Sequence, residues 1–122
     1  MKNCILIMIG GGIGAVLRHL VTLLLNRHGK MEYWATFWVN ISGCFCIGIL
    51  GEVLVNIYSP LFAFFVMGLI GSYTTFSTFE YENIKLIAKE KYSEFLKYSV
   101  SSCLFGIIAV ASGFYLASKL GL

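Results

Sequence analysis

Between Gly68 and Glu82 the chain reads GLIGSYTTFSTFEYE, which sets the hydroxyls of Thr74, Thr75, Ser77 and Thr78 and the rings of Phe76 and Phe79 directly after an apolar run. Closely spaced hydroxyls can replace the hydration shell of a small ion one contact at a time, and that is the chemistry of a permeation path. A phenylalanine ring repels an anion at its face and attracts one at its polarised edge. Packing alone accounts for most rings on a membrane helix, but it gives no reason to interleave them with threonine and serine. In hydrocarbon an unpartnered hydroxyl costs several kcal/mol, so such a cluster must be buried in protein or line a wet path.

Other polar residues are scattered through the apolar runs. Thr36 and Asn40 are four apart and share a helical face. The Asn40 amide offers two donors, which serve either an anion or a neighbouring helix. Arg18 falls late in the first apolar run, where it either faces a partner or aqueous vestibule or snorkels to the headgroups. His19 beside it reads as interfacial. Glu52 comes late in the second run, at the far interface, where a carboxylate costs less. Tyr98 and Ser102 share a face of the last run, continued by Gly106 and Val110. Catalysis has little support: there is no aspartate, no HExxH and no serine nucleophile motif, and both histidines lie away from the hydroxyl-rich stretch. Cys4, Cys44, Cys46 and Cys103 read as small buried hydrophobes, and Cys44 and Cys46 point about 200° apart on a helix.

The elements that must hold these groups follow from composition. Of 122 residues, 58% are hydrophobic and only 12% charged, against roughly 25% charged in soluble domains. An all-α membrane protein of four spans is expected: Cys4 to Leu25, Trp34 to Tyr58, a third beginning after Pro60 and holding the hydroxyl-rich stretch, and Phe95 to Leu116. No connection is long enough to fold alone, so residues 1–122 form one transmembrane domain in the cell membrane. Asn83 to Glu94, with Lys85, Lys89, Glu90, Lys91 and Glu94, reads as a solvated amphipathic connection. Met1 to Leu17 resembles a signal peptide in outline, but no small-residue cleavage site ends it. Gly10, Gly11, Gly12 and Gly14 evoke a dinucleotide loop without its preceding strand. Gly10 and Gly14 instead suit close helix packing.

TTFSTF at Thr74 to Phe79, followed by Glu82 and preceded by Gly68 and Gly71, joins GGGIGAVLR at Gly10 to Arg18 and TFWVNISG at Thr36 to Gly43. Together they resemble the Fluc (CrcB) fluoride channels across all four spans in order. The resemblance implies a third helix broken in mid-span and an antiparallel dual-topology-type dimer in the membrane lipid. It also implies two passive fluoride pores and a structural sodium ion at the dimer centre. It makes Phe76 and Phe79 the pore phenylalanines and Asn40 the pore asparagine, with Thr36, Thr75, Ser77, Tyr98 and Ser102 as further pore groups. Arg18 would face the vestibule, Glu82 belongs to the motif, and the carbonyls of Gly71 and Thr74 would hold the sodium. No enzyme activity and no nucleic-acid partner are implied.

Cys44 departs from the family pattern, where a serine or glycine usually follows Asn-x-x-Gly. Gly106 and Val110 interrupt the polar line beyond Ser102, which leaves this subunit's own pore in question. Two alternatives remain beside the channel. A small multidrug-type exporter needs a carboxylate in its first span, and Cys4 to Leu25 has none. A non-conducting partner subunit of a heteromeric channel would use its polar residues for assembly. On the side opposite the termini lie Arg27, Lys30, Lys85, Lys89, Lys91 and Lys97, against Lys2 and Lys119 on the other. This bias places the termini outside and favours a heterodimer with a homologous subunit over a homodimer.

Overall fold

A computed structural model describes residues 2–26 and 32–121. Arg27 and Lys30, two of the charges that set the expected orientation, lie outside the described residues. The elements run α1 (Lys2–Asn26), α2 (Glu32–Val53), α3 (Pro60–Phe62), a π-helical run π1 (Ala63–Ile70), α4 (Gly71–Tyr73), α5 (Phe76–Ala88) and α6 (Tyr92–Leu120). Helices that are long and apolar enough to cross a membrane cover 3–26, 33–53, 60–88 and 92–120. The all-helical, four-span expectation therefore holds.

The third span starts and stops for local reasons. Ser59 accepts the Phe62 amide at 3.1 Å and Pro60 follows it, an N-terminal cap with a pre-set φ. Seven apolar residues and one glycine then wind as a π-helix, which usually occurs only as a single-turn bulge. The helix stops at Thr74 (φ −72°, ψ 158°) and Thr75 (φ −146°, ψ 117°), both extended, and restarts at Phe76. Thr75 Oγ1 accepts the Thr78 amide at 3.3 Å and so caps the new helix. The expected break is thus a two-residue extended joint between two helical pieces of one bent span.

One expectation needs correction. Most of Asn83 to Glu94 is helical: α5 continues to Ala88 and α6 begins at Tyr92, so only 89–91 turn the chain. Glu90 takes a left-handed conformation (φ 57°), and the Lys91 amide reaches back to the Leu86 carbonyl at 2.9 Å. That is a Schellman-type stop made without glycine. The lysines and glutamates on the outer face suggested a solvated connection, whereas Phe79, Glu82, Asn83 and Leu86, at helical spacing, turn inward. The second helix also ends at Val53, short of the expected Tyr58.

Glycine decides how closely the spans approach. α1 lies along π1 and α2 along α6. A side chain on Gly10 would run into the Phe64 carbonyl, one on Gly14 into the Leu69 carbonyl, and one on Gly48 into the Val110 carbonyl. Lipid gives no hydrophobic reward for helix association, so close backbone packing has to supply the attraction. The Gly10 and Gly14 pair therefore does what its spacing suggested. Gly14→Ala and Gly48→Ala should each destabilise the fold by about 1–3 kcal/mol. Gly12→Ala should be neutral, because no atom of the described residues lies within 4 Å of where its side chain would stand. The fraction of monodisperse protein surviving a heat step in detergent measures the difference.

Candidate functional site

The site grows from the joint at Thr74 and Thr75. Two extended residues inside a membrane span leave backbone groups that neither helix piece can satisfy. Asn40, on α2, supplies the remedy. Its Oδ1 accepts the Thr75 N–H at 2.8 Å and its Nδ2 donates to the Thr75 carbonyl at 3.0 Å. The side-chain amide pairs with one residue's backbone as a neighbouring strand would. Of the two roles open to Asn40, bonding a neighbouring segment is therefore realised, and one N–H of its Nδ2 is left over for another acceptor.

The hydroxyls gather around the same point. Thr75 Oγ1 lies 2.9 Å from Thr78 Oγ1 and 3.4 Å from Ser77 Oγ. Thr74 Oγ1 instead donates back to the Ile70 carbonyl at 3.0 Å, closing the last turn before the joint. Phe76 stands 74% exposed. Phe79 is partly buried, its ring centroid 6.0 Å from that of Phe76 and 5.1 Å from that of Tyr98. The two phenylalanines thus have different surroundings: one faces outward from the chain and the other packs on its core.

Two turns further along α5, Glu82 is 7% exposed. Thr36 Oγ1 donates to its Oε1 and Tyr98 OH to its Oε2, each at 2.7 Å. Three spans meet through one carboxyl group. Thr36 and Tyr98 are themselves 5% and 4% exposed, so within this chain their hydroxyls are committed to Glu82. Arg18, His19, Thr36, Thr75, Thr78 and Glu82 all line one cavity of about 390 Å³. This gives Arg18 an aqueous-sized recess, and His19 shares it.

Ser102 lies elsewhere on α6. Among the described residues its Oγ is buried without a hydrogen-bond partner, at a groove also lined by Cys44, Gly106 and Val110. The face shared by Tyr98 and Ser102 therefore divides between Glu82 and this groove. Cys44 and Gly106, two of the departures from the family pattern, are neighbours: a side chain on Gly106 would meet Cys44 Sγ at 3.7 Å. Sequence reasoning missed Asn83 and Ser99, which are joined by a 3.0 Å bond from Ser99 Oγ to Asn83 Oδ1. The helical phase of 79, 82, 83 and 86 was the signal that could have found Asn83.

A four-span membrane helix bundle with one broken helix, hydroxyls and phenylalanines at the break, and a buried carboxyl group bonded to two neighbouring spans defines a polytopic membrane protein whose polar groups are organised inside the bilayer. Residues 5–114 match the family model described as CrcB-like protein, Camphor Resistance (CrcB). The chain belongs to that family, and is a multi-pass membrane protein. It is 38% identical over 120 residues to a protein of Phocaeicola vulgatus named fluoride-specific ion channel FluC, covering 96% of this chain and 99% of the relative. A Flavobacterium psychrophilum protein of the same name is 40% identical over 124 residues, covering 98% and 100%. A Helicobacter pylori namesake is 37% identical, covering 91% and 89%.

The Asn40 bridge has a measurable consequence. Asn40→Ala should orphan the Thr75 N–H and C=O and cost about 1–3 kcal/mol for each. Asn40→Asp should not rescue the loss, since a carboxylate accepts the N–H but opposes the carbonyl. An unfolding midpoint in detergent as high as that of the wild type would show that the joint stands without the bridge.

Proposed function

We propose that this chain is a subunit of a fluoride-selective channel that lets fluoride leave the cell passively. The observation that carries it is the restart of the third span at Phe76, inside a membrane-crossing segment and surrounded by donors. A helix N-terminus carries partial positive charge and free amides, which favour an anion. Thr75, Ser77 and Thr78 add hydroxyls, and Phe76 and Phe79 offer ring edges that attract a small hard anion while excluding water. The names of the relatives point the same way. An exporter driven by protons finds no acid in α1.

In this reading fluoride enters past Arg18, exchanges water for the hydroxyls around Thr75 and the free Asn40 N–H, and passes Phe76 and Phe79. Ser102, with an unpartnered hydroxyl, offers one more donor along α6. Thr36 and Tyr98 act by holding Glu82. Purified protein reconstituted in liposomes, with its natural partner if it has one, should release fluoride and retain chloride without a proton gradient. Phe79→Ile, which keeps bulk and removes the polarised edge, should slow release about tenfold or more, about 1.4 kcal/mol or more of lost edge attraction. Chloride flux equal to fluoride flux defeats the channel reading, and no flux from a well-assembled protein favours the non-conducting subunit.

An antiparallel dimer with sodium at its centre belongs to the same proposal. Support for the ion site comes from two diverted amides. The Thr75 N–H goes to Asn40 rather than to the Gly71 carbonyl, and the Thr78 N–H to Thr75 Oγ1 rather than to the Thr74 carbonyl. Those carbonyls, on Gly71 and Thr74, are the pair assigned to sodium by family resemblance, and hard cations select such oxygens. One chain supplies too few of them, so a second must complete the shell. Dimer lifetime in detergent should shorten when sodium is replaced by a large organic cation. An unchanged lifetime counts against the ion.

The partner is a homologous subunit with the opposite charge bias. Lys85, Lys89, Lys91 and Lys97 all fall around the turn between α5 and α6, and Lys119 at the other end of α6. A chain so biased inserts in one orientation, with its termini outside. Labelling single cysteines at each terminus of a cysteine-free background in intact cells should succeed from outside only. Equal labelling from both sides means a homodimer of dual topology.

A further inference from the structure

Glu82 and Asn83 are consecutive on α5, and their partners Tyr98 and Ser99 are consecutive on α6. In an antiparallel pair, contacts normally run in opposite senses, one index rising as the other falls. Here both rise. At 1.5 Å of rise per residue, the two bonds differ in axial offset by about 3 Å, so both close only at a slide where the long Tyr98–Glu82 pair and the short Ser99–Asn83 pair make up that difference by reach. Residues 82 and 83 also stand about 100° apart around their helix, so rotation that favours one bond strains the other. Two short side-chain bonds thereby define both the slide and the roll of one helix on the other.

The two bonds do different work. Tyr98 OH is 2.7 Å from Glu82 and its ring lies 5.1 Å from that of Phe79, so its placement bears on the carboxyl group and on a pore ring. Asn83 is 5% exposed and, among the described residues, bonds across to half-buried Ser99. A buried amide in a membrane span is costly unless it is bonded. We propose that the Asn83–Ser99 hydrogen bond is a positioning pair, which sets the register of α6 on α5 and so holds Tyr98 against Glu82 and Phe79. It rests on the channel reading for its transport consequence, while the register itself does not.

The test uses the full protein with one hydroxyl removed. Ser99→Ala should slow fluoride release from liposomes about tenfold, the worth of one such bond. Ser99→Thr, which keeps the hydroxyl, should stay within about twofold of wild type. Flux in Ser99→Ala equal to wild type, or Ser99→Thr as slow as Ser99→Ala, overturns the proposal. Hydrogen exchange in detergent reads the register independently of transport. In Ser99→Ala the amides of the first turns of α6 should exchange about tenfold faster, and unchanged protection also overturns it. A wild-type protein that passes no fluoride would defeat the channel reading alone, leaving exchange to decide the register.

Discussion

A backbone group inside hydrocarbon must find a partner, and almost everything distinctive in this chain answers that requirement at one place. The joint at Thr74 and Thr75 breaks a membrane span, and the break is tolerable because Asn40 bonds both the N–H and the C=O of Thr75. Thr75 then caps the following helix with its own hydroxyl, and Thr74 closes the preceding one. Three side chains convert what would be a prohibitive defect into a stable joint. The positive end of a helix is thereby presented in mid-membrane, which no continuous helix could do.

Below the joint, Glu82 poses a second problem of the same kind. A buried carboxyl group is tolerated because α2 and α6 each bring a hydroxyl to it at hydrogen-bond distance. The chain thus contains two polar knots on one helix, at Thr75 and at Glu82, both tied to α2 and bordering a common cavity with Arg18. Placing α2 close enough to serve both depends on small residues: Gly43 lies directly against Thr74, and Gly48 and Gly113 let α2 and α6 touch by backbone. Packing and polar chemistry are one arrangement here, because a bulkier α2 would withdraw Asn40 and Thr36 together.

Much was legible in the amino-acid order. Four apolar runs of membrane length and a proline after Ser59 told the fold class and the start of the third span, while the break in that span was implied by family resemblance. The Gly10 and Gly14 spacing told where α1 would be approached. These are local signals: period, length and turn chemistry act over a few residues and do not need the rest of the chain.

What the sequence could not state was which polar group answers which. Asn40 was readable as an anion donor or as a bond to a neighbour, and only the arrival of Thr75's backbone, thirty-five positions away, commits its oxygen and one N–H to the second. Tyr98 and Ser102 share a helical face in sequence, yet one turns to Glu82 and the other ends unpartnered in a groove. Asn83 looked like part of a solvated segment because the lysines and glutamates beyond it dominate its neighbourhood. The reason is common to all three: in a low-dielectric interior a polar side chain takes its role from its partner, and partners on different helices are chosen by packing. The run of π-helix before the break is likewise a tertiary outcome, since AFFVMGLI carries no local signal for a wider turn.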